Sequence, residues 1–298
     1  MAEIARIEQI SWSRSAAEKQ LFDTTMGIIQ GGVGSEYAED KDFLWKRLHA
    51  QHDLLTAPER MTPSQKEFMV VSPDGTSRYR SALFAAIGVD GKPRAGIYGA
   101  LLNANGEPFM FMGYYAWQRG VRDPDESLSK TMFETLLAHL NQTSVEINGK
   151  PLSSIFIEIE RRKQADKPLA RRAMEHGAYP LAVKEDNRGF GYVQPGIDAE
   201  MHGRARFSPQ RLQGFFGVHD KLLTPEQART VDYDPALIST VFDTIFDQEY
   251  REYSERLGVG SRENSFAYQR SMQSLQGLTR VAYDLSDRGI GWINTPRK

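Results

Sequence analysis

The chain has 298 residues, 40% of them hydrophobic and 26% charged, with a formal net charge of -2 and no cysteine. This is an ordinary globular composition, long enough for one large domain or two smaller ones. Near-neutral charge gives no field for sequence-independent nucleic-acid binding, and the absence of cysteine excludes disulfides, thiolate catalysis and cysteine zinc sites. The opening MAEIARIEQISW is charged and is not a signal peptide, and no apolar run approaches the ~18 residues of a membrane span. A cytoplasmic protein with no membrane partner is expected.

In chain order, residues 5–12 predict a short first strand and residues 13–29 a helix with Leu21, Phe22, Met26 and Ile29 on one face. The glycines of GGVG, 31–34, are expected to break it. A second helix is expected over about 40–55, with Phe43, Leu44, Leu48, Leu54 and Leu55, before a loop marked by Pro58 and Pro63. From 66 the period changes. KEFMVVS, SALFAAIGV, AGIYGALLNA and PFMFMGYYAW are separated by PDGT, DGKP and NGEP. Asp-Gly and Asn-Gly between apolar runs predict hairpins, hence an antiparallel meander. A polar loop leads from Trp117 to a helix over 129–140. A strand SSIFIEIE follows at 153–160, then a helix over about 165–176 stopped by Gly177, and strands YPLAVKE and RGFGYVQP. Residues 196–230 read as loop-rich. Asp234 and Pro235 predict an N-cap and first helical residue, followed by the stripe Leu237, Ile238, Val241, Phe242, Ile245, Phe246 and Tyr250. With a further helix over about 262–286, this predicts a C-terminal helical hairpin that must bury its stripe on the rest of the chain or in a homodimer.

From about 5 to 194 this order resembles the GNAT superfamily of acyl-CoA N-acyltransferases. Two segments carry the resemblance: KTMFETLLAHL with the loop before it, and PLARRAMEHGAYPL. The resemblance implies an α+β fold, a mixed and mostly antiparallel sheet flanked by helices. Residues 1–195 would then be the acyltransferase domain, 196–232 a connector and 233–298 a helical extension. It also implies a co-substrate, acetyl-CoA or another acyl-CoA, whose pyrophosphate is held by backbone N–H groups between the fourth strand and the following helix. Two alignments of that loop stay open. One places it at Ser127, Leu128, Ser129, Lys130 and Thr131, with serines where the family has glycines. The other begins it at Gln118, Arg119 and Gly120, ahead of an insertion. Ala116 or Trp117 would polarise the thioester carbonyl through the backbone, and Tyr114 and Tyr115 would line the acyl channel. The family's proton-donating tyrosine aligns with Ala173, and the nearest phenol is Tyr179.

Amine acylation needs a neutral amine, a polarised carbonyl and a stabilised thiolate. A carboxylate can take the amine proton directly or through water. In SIFIEIE, Ile155, Ile157 and Ile159 share one face, and Phe156, Glu158 and Glu160 the other. Glu158 and Glu160 are therefore the candidate bases. The opposing expectation is a solvated acidic face paired with Arg161 and Arg162. Ser127-x-x-Lys130 lacks the companion motifs of penicillin-recognising enzymes. His49-x-x-His52 lacks a third ligand and GGVG lacks a third glycine, so neither a metal nor a dinucleotide is expected. The acceptor is an amine of unread size. Two alternatives remain: an acyl donor on an acyl carrier protein, and a non-catalytic scaffold derived from the same fold.

Overall fold

The computed structural model describes residues 4–10, 15–33, 41–63, 80–118, 127–160, 172–183, 192–194, 210–219, 223–250, 263, 265–276, 278 and 281–283. They form an α+β structure in two compact units. The first contains the described residues of 1–103 and 112–151, the second those of 104–111, 152–195 and 208–298.

The first unit holds strands β1 (Ile4–Gln9), β2 (Arg80–Gly88), β3 (Pro93–Ala104) and the second half of β4 (Glu107–Trp117). β1 and β3 flank β2, both antiparallel to it. The expected turns are present. Gly91 has φ 76°, and Asn105 and Gly106 have φ 53° and 86°. Two consecutive positive φ values at Asn-Gly are the chemistry of a tight hairpin. The strand KEFMVVS and the turn PDGT lie outside the described residues.

Helices α1 (Ala16–Val33) and α2 (Lys41–Thr56) cover one face of this sheet. Phe22, Met26, Ile29, Leu44 and Leu48 pack with Leu83, Ala85, Ile87, Tyr98 and Tyr114. α1 does not break at the glycines, as the sequence predicted. It continues through Gly31 and Gly32, because a side chain at Gly32 would lie 2.5 Å from Ala116 Cβ. Close approach to β4 outweighs the ~1 kcal/mol propensity cost of glycine. A buried polar network ties α2 down. Gln51 Nε2 donates to the Ser81 carbonyl at 2.9 Å and its Oε1 accepts from Ser81 N–H at 2.7 Å, while Arg47 Nη1 donates to the Tyr98 hydroxyl at 3.0 Å.

Helix α3 (Ser127–Asn148) is also in this unit. It is longer than predicted because Ser144 stays buried one turn beyond Leu140 and donates to the Lys150 carbonyl at 2.8 Å. Gly149, φ 70°, ends it. His139 of α3 meets the Phe84 ring edge-on at 5.4 Å. Burial pushes its pKa below the usual 6.5, against a smaller opposing pull from Glu146. The imidazole is therefore neutral in the fold, and protonation favours the unfolded chain. Its contribution to stability is complete above pH 6.5 and declines as pH falls below that value. His139→Phe should therefore flatten part of the acid limb of a plot of melting temperature against pH. A variant with the wild-type slope below pH 6.5 would contradict this.

The second unit contains the first half of β4, β5 (Ser154–Glu160), β6 (Tyr179–Val183), β7 (Tyr192–Gln194), β8 (Gln210–Val218), β9 (Asp232–Tyr233) and β10 (Val281–Tyr283). Ser153 N–H donates to the Pro108 carbonyl at 2.8 Å, joining the starts of β4 and β5. Beyond β5 the order is β8, β6, β10, β9, with β7 also on β8. Where pairings are registered the strands are antiparallel. Arg172–Glu175 are helical and Gly177, φ 85°, stops them as predicted.

Two expectations are corrected in this unit. The loop-rich reading of 196–230 passed over β8 and a short helix α4 (Pro225–Thr230), which lie within that stretch. In β8, Gly217 would place a side chain 1.8 Å from the Gly177 carbonyl, so only glycine permits this approach. The same glycines hid the strand. The second correction is the C-terminal hairpin. Helix α5 (Pro235–Thr244) forms with Asp234 as its N-cap, its Oδ1 accepting from Ala236 N–H at 2.8 Å. The partner predicted over 262–286 is a helix α6 only at Phe266–Gln273, and the chain then returns to the sheet as β10. Residues beyond 208 thus belong with β5 and β6 rather than to a separate extension. Apart from Leu237, which is 43% exposed, the stripe is covered within the chain: Phe242 meets Phe156 at 5.8 Å and Phe246 meets Tyr268 at 5.3 Å.

Candidate active site

In the first unit, the end of β4 and the start of α3 are the elements assigned to the donor. Tyr114 is buried and stacks on Tyr98 at 5.8 Å, so its ring is core rather than channel. Tyr115 and Trp117 are half-buried and lean together at 5.5 Å. Ala116 is buried under Gly32. Gln118 is engaged twice by Arg94. Its N–H donates to the Arg94 carbonyl at 2.7 Å, and its Oε1 accepts from Arg94 Nη1 at 2.7 Å. That N–H is spent on the hairpin and is not a phosphate donor. Arg119 and Gly120 lie outside the described residues.

α3 begins at Ser127, so Ser127, Leu128, Ser129 and Lys130 occupy its first turn, whose N–H groups have no intrahelical acceptor. No acidic residue stands in that turn. Ser127 and Lys130 are exposed, while Leu128 and Ser129 turn their side chains inward. Lys130 Nζ lies 3.8 Å from Glu134, and the Thr131 hydroxyl donates back to the Ser127 carbonyl at 2.8 Å. The turn therefore presents backbone donors and one exposed ammonium, the elements of an anion site. Serine side chains contribute little to it.

In the second unit, the alternation along β5 is as read, but Glu158 is not solvated. Ile155, Ile157 and Ile159 are buried on one side, and Phe156 and Glu158 on the other. Glu158 is 7% exposed. The side chain of Glu160 lies outside the described residues. Gly214 stands opposite Glu158 on β8 and brings no side chain beside the carboxylate. From the end of the π-helical turn Ile245–Glu249 that follows α5, Tyr250, 2% exposed, points its hydroxyl at both Glu158 oxygens, 3.4 and 3.5 Å away. The sequence reading used Tyr250 only as an apolar stripe residue. Nothing in its spacing announced a polar role, because the turn that aims it is π-helical. A buried carboxylate is costly unless held, and such groups concentrate at functional sites.

Tyr179, at the start of β6, donates its hydroxyl to the Leu223 carbonyl at 3.0 Å. Burial raises its pKa, opposed by that bond. It stays protonated and ties β6 to the segment before α4. Among the described residues, no group of three or more histidines or carboxylates could hold a metal ion, and no helix is long and apolar enough to cross a membrane.

The similar solved structures include N-acyltransferases. A ribosomal-protein-S5-alanine acetyltransferase from Vibrio fischeri aligns over 73% of this chain and 94% of its own, at 8% identity and a TM-score of 0.39. An acetyl transferase from Salmonella typhimurium, which modifies the N-terminal serine of ribosomal protein L7/L12, aligns over 73% and 94% at 10% identity and 0.36. A GNAT family N-acetyltransferase from Escherichia coli, solved with CoA, aligns over 72% and 82% at 11% identity and 0.32. No protein-family model and no curated protein matches the sequence. TM-scores this low carry no argument about activity, so function has to be reasoned from the residues.

Proposed function

We propose that this protein is an N-acyltransferase that moves an acyl group, acetyl in the simplest case, from CoA to an amine. The observation that carries the reading is the realised order β1-α1-α2-β2-β3-β4-α3-β5-β6, in which the start of a long helix follows the aromatic end of β4. In a ternary complex the amine nitrogen attacks the thioester carbonyl. The N–C bond forms, the C–S bond breaks, and CoA leaves as thiolate. Backbone N–H near Ala116 and Trp117 polarises the carbonyl, and the turn Ser127–Thr131 with Lys130 receives the pyrophosphate. Glu158 is the residue we assign to accept the amine proton, directly or through water. The thiolate takes a proton from Tyr179 or from solvent, solvent being favoured by the bond between Tyr179 and Leu223.

Acetyl-CoA should raise the melting temperature, since a ligand at 100-fold excess over its Kd stabilises by ~2.7 kcal/mol. Acetylation of a panel of amines followed by mass spectrometry tests transfer. Ser127→Pro probes the phosphate assignment. Proline is well tolerated at the first helical position but has no N–H. CoA affinity should fall about tenfold or more, the worth of one charge-assisted hydrogen bond. Unchanged affinity would place the phosphate elsewhere. A second reading, an acyl donor on a carrier protein, is favoured by the commitment of the Gln118 N–H to Arg94, which leaves fewer donors for a pyrophosphate. No melting shift with CoA, together with transfer from an acylated carrier protein, would select it.

A further inference from the structure

α5 does not end as an α-helix. Residues Ile245–Glu249 form a π-helical turn, and Tyr250 N–H donates to the Ile245 carbonyl five residues back, at 3.1 Å. A π turn inserts one extra residue into a helix, rotating every later side chain by about a quarter of a turn relative to an α-helix, and such turns recur at functional sites. Here the rotated residue is Tyr250. Its ring is clamped by Phe246 at 5.4 Å and by Phe111 edge-on at 6.3 Å, and Phe111 in turn stacks on Phe156 at 6.4 Å. The clamp leaves the hydroxyl astride the two oxygens of Glu158.

We propose that Tyr250 is a positioning residue for Glu158, set by the π turn so that its phenol orients the buried carboxylate and stabilises its ionised form. The proposal rests on the reading of Glu158 as proton acceptor only for its catalytic consequence. The contact is longer than the ~2.5–3.0 Å of a tight O–H···O bond. Sharing between both oxygens makes it a means of orientation as much as of charge stabilisation. Among the described residues, Gly214 of β8 stands opposite Glu158 and Tyr250 reaches it from the π turn, with Glu249 buried next to Tyr250 in the chain. The Tyr250 hydroxyl donates to Glu158 without adding charge of its own.

The test is a carboxyl ¹³C NMR titration of protein labelled at glutamate, with the Glu158 signal assigned by its loss in E158Q. In Y250F the Glu158 midpoint should rise, because a donor to the charged form is gone. With 3-fluorotyrosine at position 250, a more acidic phenol, it should fall. The fluorinated protein keeps the test available should Y250F fold poorly. In the same Y250F protein, kcat should drop about threefold to tenfold at low pH and recover at high pH, with KM little changed. Midpoints that match wild type in both variants would overturn the proposal, whatever the activity. Shifted midpoints with a fully active E158Q would support the pairing of Tyr250 and Glu158 and sink the reading of Glu158 as base.

Discussion

Glu158→Gln is expected to lower kcat/KM for amine acylation by at least about a hundredfold, the usual cost of losing a general base. Glutamine keeps the shape of the side chain and can still meet the Tyr250 hydroxyl, so the β5–α5 contact survives. Acetyl-CoA affinity should be unchanged, because the assigned pyrophosphate donors are on α3. The loss should shrink as pH rises, where more of the amine is neutral and needs no base. An increase in KM alone, with kcat unchanged, or full activity in both Glu158→Gln and Glu160→Gln, would return the proton to water and leave Glu158 without a role as base. A surface carboxylate would not behave this way, and 7% exposure already separates Glu158 from one.

Phe242→Asp is expected to unfold the second unit. Phe242 is fully buried and meets Phe156 edge-on at 5.8 Å. Removing such a ring costs about 3–5 kcal/mol, and a carboxylate in its place adds a desolvation penalty of several more. Domains are stable by only about 5–15 kcal/mol. Near-UV circular dichroism should lose its aromatic signal, and the unfolding transition should disappear or move to far lower denaturant. Phe242→Leu should cost much less and keep the transition cooperative. If Phe242→Asp melts like wild type, the α5 stripe is not the core element described above.

Much of the first unit was legible because its signals are local. Asp90-Gly91 and Asn105-Gly106 mark turns whose φ values are read directly from residue type. The stripe of α1 and the continuous apolar run of β2 state their burial without knowledge of partners. The second unit was less legible because its partners are distant in sequence. β8 is glycine-rich, and its meaning depends on Gly177 and Glu158 across the sheet. β10 is three residues long and exists only because β6 and β9 receive it. Alternation along β5 put Glu158 forward as the proposed base, whereas its contact with Tyr250 required the extra residue of a π turn, a backbone event with no residue code. Gln118 was misassigned for a similar reason, since its N–H is taken by an arginine twenty-four residues earlier.

The place of β8 between β5 and β6 bears on how the polypeptide is made. Synthesis runs from the N-terminus, so β5 and β6 leave the ribosome before the strand that joins them exists. Until Gln210–Val218 emerges, the apolar edge of IFIEI stays unpaired, the kind of edge that templates aggregation. The second unit therefore cannot close during translation of its own first half. The interval between Glu160 and Gln210 is the window in which a nascent chain would need shielding, and an expression fragment ending at 195 would carry that exposed edge permanently.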